Sequence, residues 1–343
     1  MPRKRGSEAV AEQITVVGSG AWGTTLALTM AQAGRDVTLY CRNPNEAGEI
    51  FASRENRRKL PGVSLPASLK VSSDLSSVAN AQIIFFVVPS QTMRANAAAF
   101  ASLVQPGSVL VSATKGLELG SIKRMSEILA EEVPQAHAAA LSGPNLAQEV
   151  VEQKPATSVV AAADLATATR VQDALMTLML RIYTNTDLVG VELCGALKNI
   201  IALAAGVCDG LEIGDNAKSA LITRGLAEMG RLGLAAGAQL ATFAGLAGLG
   251  DVIATCASKY SRNRYLGQEL ARGRKLDEIR ASMGHIAEGV TTTQAAMAMA
   301  ARYNIEMPIT AQLHAVLFEG RSVQQAIMAL LSRDRRDEQD LAL

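Results

Sequence analysis

The sequence predicts an α/β fold with a doubly wound, parallel sheet, followed by an all-α domain. Three observations lead there. Apolar, β-branched runs alternate with helix-patterned segments up to about residue 186. The first of these runs ends in a glycine-rich turn. Beyond residue 186 the pattern is helical almost throughout. Alternation of strands and helices implies a parallel sheet covered on both faces, and continuous apolar strands fit burial on both sides.

In chain order, residues 13–18 form the first strand-like run. Residues 24–33 carry helical spacing through Leu26, Leu28 and Met30, and stop at Gly34. A second run covers 36–41, and 82–88 is apolar and closed by Pro89. Further runs lie at 108–113, 136–141 and 156–163, with helical patterns such as 90–103 and 121–132 between them. Predicted helices then cover 187–207, 216–235, 237–247, 263–272, 275–283, 290–302, 309–318 and 322–331. Asp215, Thr242, Ser261, Asp277 and Thr310 stand near helix starts, where short polar side chains cap free N–H groups. The expected domains are a nucleotide-binding unit over 13–187 and an all-helical substrate unit over 188–332, flanked by tails at 1–12 and 333–343.

Composition narrows the function. The 343 residues carry a net charge of +1, with 49% hydrophobic and 19% charged residues. That excludes a disordered chain and a generic basic nucleic-acid binder. Cys41, Cys194, Cys208 and Cys256 show no CxxC spacing, and three histidines do not complete a zinc site, so no metal is expected. Free thiols suit a cytoplasmic enzyme. The basic N-terminus lacks the apolar segment of a secretory signal. Two apolar stretches, 195–208 and 240–257, contain Lys198 and Asp251 respectively. The first is shorter than the roughly 18 residues a membrane span requires and the second is broken by a charge, so both read as core helices.

Gly18-Ser19-Gly20-Ala21-Trp22-Gly23 matches G-x-G-x-x-G, placed after a strand and before a helix, as a Rossmann-type dinucleotide site requires. Gly18 makes the tight turn, Gly20 lets backbone approach a pyrophosphate, and Gly23 lets the helix pack on the strand. A ligand-free strand-to-helix turn is the competing reading. After the second strand, Tyr40-Cys41-Arg42-Asn43 offers no acid for a ribose 2′-OH but does offer Arg42, which suits a 2′-phosphate. NADP is therefore favoured over NAD. A ketone reductase also needs a proton donor. His137, His285 and His314 are poorly placed for it. Lys198 lies among small apolar residues, where burial lowers an ammonium pKa toward working pH. Asn199 stands beside it, and Asp251 could orient the ammonium, although a purely structural ion pair reads equally well. Thr114-Lys115-Gly116 follows a strand at the ligand-binding edge, and Ser261-Arg262-Asn263 opens a helix, where N–H groups and a guanidinium could hold a phosphate.

Together these segments resemble the bacterial NAD(P)-dependent glycerol-3-phosphate dehydrogenases. The matching stretches also include Leu141-Ser142-Gly143-Pro144-Asn145, the run from Val191 to Asn199, Gly214 to Lys218, Leu221 to Leu226, Gly245 to Asp251, and Ala287-Glu288-Gly289-Val290. The resemblance implies interconversion of dihydroxyacetone phosphate and sn-glycerol 3-phosphate, supplying glycerophospholipid synthesis. It implies Lys198 as the proton donor and acceptor. Lys115, Gly143, Asn145, Asn199, Asp251, Ser261, Arg262 and Asn263 are implied as substrate contacts. Cofactor contacts are implied at Gly18, Gly20, Ala21, Trp22, Gly23, Arg42, Lys115, Ala147, Arg262, Ile286 and Glu288. The family usually has Ser at position 21 and Ser or Thr at 145, so Ala21 and Asn145 depart from it. A homodimer is expected. The competing functions are a hydroxyacid or 6-phosphogluconate-type dehydrogenase and a nucleotide-binding sensor without catalysis.

Overall fold

A computed structural model describes residues 12–283 and 287–335. His285, Ile286 and most of both expected tails lie outside the described residues. The sheet has eight strands: β1 (Gln13–Val17), β2 (Asp36–Tyr40), β3 (Lys70–Ser72), β4 (Ile83–Phe86), β5 (Val109–Ser112), β6 (His137–Ser142), β7 (Ala156–Ala162) and β8 (Leu180–Asn185). Their spatial order is β3-β2-β1-β4-β5-β6-β7-β8. The order reverses beside β1, which pairs in parallel with both β2 and β4 and so opens a crevice at its C-terminal end. Among the described residues six α-helices belong to this half: α1 (Ala21–Gln32), α2 (Pro44–Ser53), α3 (Met93–Phe100), α4 (Met125–Glu132), α5 (Ala147–Val151) and α6 (Leu165–Leu175).

The predicted parallel order fails at one step. β7 runs antiparallel to β6, with Ala139 opposite Ala162. Only the five-residue α5 lies between them, too little to carry the chain back across the sheet, as a parallel return requires. Two strands are not apolar runs and so are not predicted. β3 is a three-residue edge, and β8 alternates, burying Leu180 and Ile182 while exposing Arg181 and Tyr183.

Nine helices follow among the described residues: α7 (Leu188–Gly210), α8 (Asp215–Ala235), α9 (Leu240–Phe243), α10 (Asp251–Ala257), α11 (Arg262–Ala271), α12 (Leu276–Met283), α13 (Glu288–Tyr303), α14 (Pro308–Phe318) and α15 (Val323–Leu331). α7 is the axis of this half. Its most apolar stretch is 89% buried, so although it is long and apolar enough to cross a membrane, protein encloses it. Asp187 caps it through the Gly190 N–H at 2.8 Å and also accepts the Thr242 hydroxyl at 2.6 Å. Thr242 therefore ties α9 to α7 and is not the expected cap. Ser261 does cap α11, accepting the Arg264 N–H. Asp215 and Asp277 sit inside first turns. Thr310 instead donates to Glu228.

The helix expected over 237–247 is broken. α9 ends at Phe243, and Leu246–Gly250 forms a π turn that leads into α10 at Asp251. Glycine permits it: a Cβ on Gly248 would lie 2.1 Å from the Phe243 carbonyl oxygen. The second membrane-length stretch, Leu240–Ala257, is thus interrupted and 44% buried.

Candidate active site

The crevice is built first from glycines. Gly18 follows β1 with φ +117°, and a Cβ there would lie 2.4 Å from the Val87 carbonyl oxygen beyond β4. A Cβ on Gly23 would lie 2.0 Å from the Gly18 oxygen, so α1 packs directly on the turn. Around Gly20 nothing lies within 4 Å of the Cβ position, so the loop is open on that side. No side chain caps α1 at Gly20, so its first N–H groups face the opening. This cradle fits a dinucleotide pyrophosphate. Ala21 and Trp22 form its first turn. The Ser19 hydroxyl binds Glu46 at 2.8 Å. Arg42 is exposed just past β2, ahead of the Asn43 cap of α2.

Across the crevice stand two lysines on one carboxylate. Lys198, only 6% exposed, projects from α7 and donates to Asp251 Oδ1 at 3.0 Å and to Thr255 Oγ1 at 2.6 Å. Lys115, in the loop after β5, donates to Asp251 Oδ2 at 2.6 Å and to the Gly143 carbonyl at 2.8 Å. Burial pushes the Lys115 ammonium down to about 8, with Asp251 opposing and Lys198 reinforcing the fall. For Asp251, 2% exposed, burial raises the carboxyl pKa, but Lys115 and Lys198 outweigh it and hold the group below its ordinary value. The pair of charges compensates a carboxylate that would otherwise be costly to bury.

Amides line the remainder. Asn263 Nδ2 donates to Asn199 Oδ1 at 2.8 Å, and Asn199 Nδ2 reaches the Lys115 carbonyl at 3.4 Å. Asn145 Oδ1 accepts the Ser158 hydroxyl at 2.5 Å, while its Nδ2 is buried without a partner. Ser142 Oγ is likewise buried and unpaired. Unpaired buried donors of this kind are uncommon and suit a polar ligand. Arg262 is exposed at the first turn of α11, Ala147 starts α5, and Glu288 starts α13 with its carboxylate on Ser90. Among the described residues no group of His, Cys, Asp and Glu could hold a metal. All four cysteines are buried and free, and burial raises the Cys41 thiol to about 11 and Cys256 to about 12, away from reactivity. His137 is exposed on β6, and His314 pairs with Glu319.

Sequence reasoning missed Thr255. Its signal was available: it stands four residues after Asp251 on the same face of α10, and it binds both Asp251 and Lys198.

A nucleotide cradle facing a buried lysine–carboxylate cluster defines a pyridine-nucleotide oxidoreductase of the Rossmann type. Residues 13–168 and 187–328 match the N-terminal and C-terminal parts of NAD-dependent glycerol-3-phosphate dehydrogenase. The chain belongs to that family. Glycerol-3-phosphate dehydrogenase [NAD(P)+] of Chlorobium phaeobacteroides is 46% identical over 330 residues, covering 95% of this chain and 99% of the relative. The second such enzyme of Salinibacter ruber is 46% identical over 329 residues, covering 95% and 96%. The crystal structure of glycerol-3-phosphate dehydrogenase from Coxiella burnetii superimposes with a TM-score of 0.90 at 39% identity, covering 94% of this chain and 99% of that one. These relatives exclude the hydroxyacid and 6-phosphogluconate-type alternatives.

Proposed function

We propose that this protein interconverts dihydroxyacetone phosphate and sn-glycerol 3-phosphate with NAD(P)H. The observation that carries the reading is the buried triad in which Asp251 holds the ammonium groups of Lys115 and Lys198 side by side. Bound in the glycine cradle, the nicotinamide supplies the hydride for the ketone carbon. Lys198 hands the proton to the ketone oxygen and takes it back in the reverse direction. Its ammonium also opposes the negative charge that develops there. Asp251 and Thr255 fix the direction of that ammonium. Lys115, Gly143, Asn145, Asn199, Ser261, Arg262 and Asn263 bind the substrate, with the guanidinium and helix start of α11 assigned to its phosphate. Binding energy spent on the phosphate, away from the carbonyl, enforces orientation.

Gly18, Gly20, Ala21, Trp22, Gly23, Arg42, Ala147 and Glu288 are assigned to the cofactor, together with Ile286. The Ala21 departure is supported by geometry, because the first-turn position offers a backbone N–H whatever the side chain. Asn145 offers its unpaired Nδ2 at the position where the resemblance leads one to expect Ser or Thr. The reading includes a cytoplasmic homodimer that supplies glycerophospholipid synthesis; four free thiols suit a reducing compartment.

The test is oxidation of NADPH, then of NADH, with dihydroxyacetone phosphate, followed at the nicotinamide absorbance. Turnover is expected with this triose phosphate and not with 6-phosphogluconate plus NADP. Cofactor binding without any turnover would instead favour a sensor.

A further inference from the structure

Ser90 belongs to no motif singled out in the sequence, yet it joins the two halves of the molecule. It follows β4 at the crevice, is 1% exposed, and offers two donors to one carboxylate. Its N–H reaches Glu288 Oε1 at 3.2 Å and its hydroxyl reaches Oε2 at 2.6 Å. Room for this contact comes from Gly116, where a Cβ would lie 2.6 Å from Ser90 Cβ and 3.1 Å from Glu288 Oε2.

The contact is one link in a closed ring. Next to Glu288, the Gly289 N–H donates to Asn263 Oδ1 at 3.0 Å. Asn263 donates to Asn199 at 2.8 Å, and Asn199 reaches the Lys115 carbonyl at 3.4 Å. Lys115 precedes Gly116, which packs back on Ser90. The ring therefore passes from the nucleotide sheet through α13, α11 and α7, and returns to the sheet. It includes side chains assigned above to cofactor and to substrate.

We infer that Ser90 is a positioning residue that couples cofactor binding to substrate binding through Glu288. The inference rests on the proposed function. With the Ser90 hydroxyl in place, ordering Glu288 from the cofactor side also orders Asn263 and Asn199, so each ligand finds the other's contacts already fixed. Coupling of this kind is reciprocal and typically amounts to 5–150-fold in affinity. Without the hydroxyl, one carboxylate oxygen loses its donor and the two halves of the ring settle independently.

The test uses NADPH with glycerol 3-phosphate, two reduced partners that bind without turnover. Trp22, the only tryptophan in the chain, starts α1 at the glycine turn, so its emission reports NADPH binding. In the wild type, saturating glycerol 3-phosphate is expected to tighten NADPH binding by about fivefold or more. In Ser90→Ala that ratio falls close to one, while the thermal unfolding midpoint stays near the wild-type value. Ser90→Thr keeps the hydroxyl and restores the ratio. Glu288→Gln, the second variant, lowers it as Ser90→Ala does. A wild-type ratio of one, an unchanged ratio in Ser90→Ala, or a loss that threonine does not rescue overturns the inference. Failure of the wild type to bind NADPH at all overturns the functional reading instead.

Discussion

Lys198 and Lys115 share a counter-ion but are asked to do different things. Replacing Lys198 by alanine removes the proposed proton donor and leaves the glycine cradle untouched. We expect kcat to fall by about a thousandfold or more, since general acid catalysis contributes on the order of 10²–10⁴ and the charge adds to it. NADPH affinity, read from Trp22 emission, should stay within a few-fold; near-normal turnover would remove Lys198 from the mechanism. Lys115 sets a pH dependence. Its ammonium is held down to about 8, below the ordinary lysine value, so it loses its proton as the pH rises through that region. KM for the triose phosphate should therefore climb above about pH 8. Asp251 raises the Lys115 pKa, so Asp251→Asn should shift the climb to lower pH; a KM flat from pH 6.5 to 9.5 would count against Lys115 as a phosphate or hydroxyl contact.

Helices and turns bring these residues together. The π turn at Leu246–Gly250 leads directly into Asp251, whose carboxylate reaches Lys198 on α7. Gly248→Ala would press a methyl group onto the Phe243 carbonyl, where the Cβ position is 2.1 Å away. Kinetics should show reduced kcat, and thermal denaturation a loss of roughly 1–3 kcal/mol, the usual scale of overpacking; wild-type kcat would mean that the turn is not needed to place Asp251. α8 and α14 are joined by a second buried carboxylate. Glu228 accepts the Ile309 and Thr310 N–H groups at 2.6 and 3.2 Å, replacing a local cap on α14. Burial raises its pKa to about 7, against the pull of those donors, the Thr310 hydroxyl and Arg231. At Glu228 the folded state thus holds a proton that the unfolded chain has released between about pH 4.5 and 7, and the contribution of this group to stability falls as pH rises through that window. The unfolding midpoint should drop from pH 5 to pH 8, and Glu228→Gln should flatten the drop.

At the scale of the whole molecule, the sheet carries the glycine turn proposed for the nucleotide, and α7, α10 and α11 carry Lys198, Asp251, Asn199 and Asn263. The proposed selectivity between cofactors rests on the point where the second strand leaves the sheet. Arg42 is exposed there with no acidic residue following β2 directly. Arg42→Ala should weaken NADPH by about tenfold, the scale of one charge-assisted contact, and change NADH by less than twofold. An equal loss for both nucleotides would place Arg42 away from the 2′-phosphate.

Local chemistry made much of this protein legible. The glycine turn, the long apolar helix at 188–210 and the Ser261 cap are written in short stretches of residue types, because turn geometry and helical period are local properties. Lys198 and Asp251 stood out for the same reason, as single charges within apolar runs. What chain folding alone decided was partnership. Lys115 and Lys198 meet on Asp251 from three distant segments, and Ser90 reaches across 198 positions to Glu288. The antiparallel step at β7 and the π turn belong here too. Each depends on where the remaining structure leaves room, and hydrophobic pattern and intrinsic propensity carry no record of that.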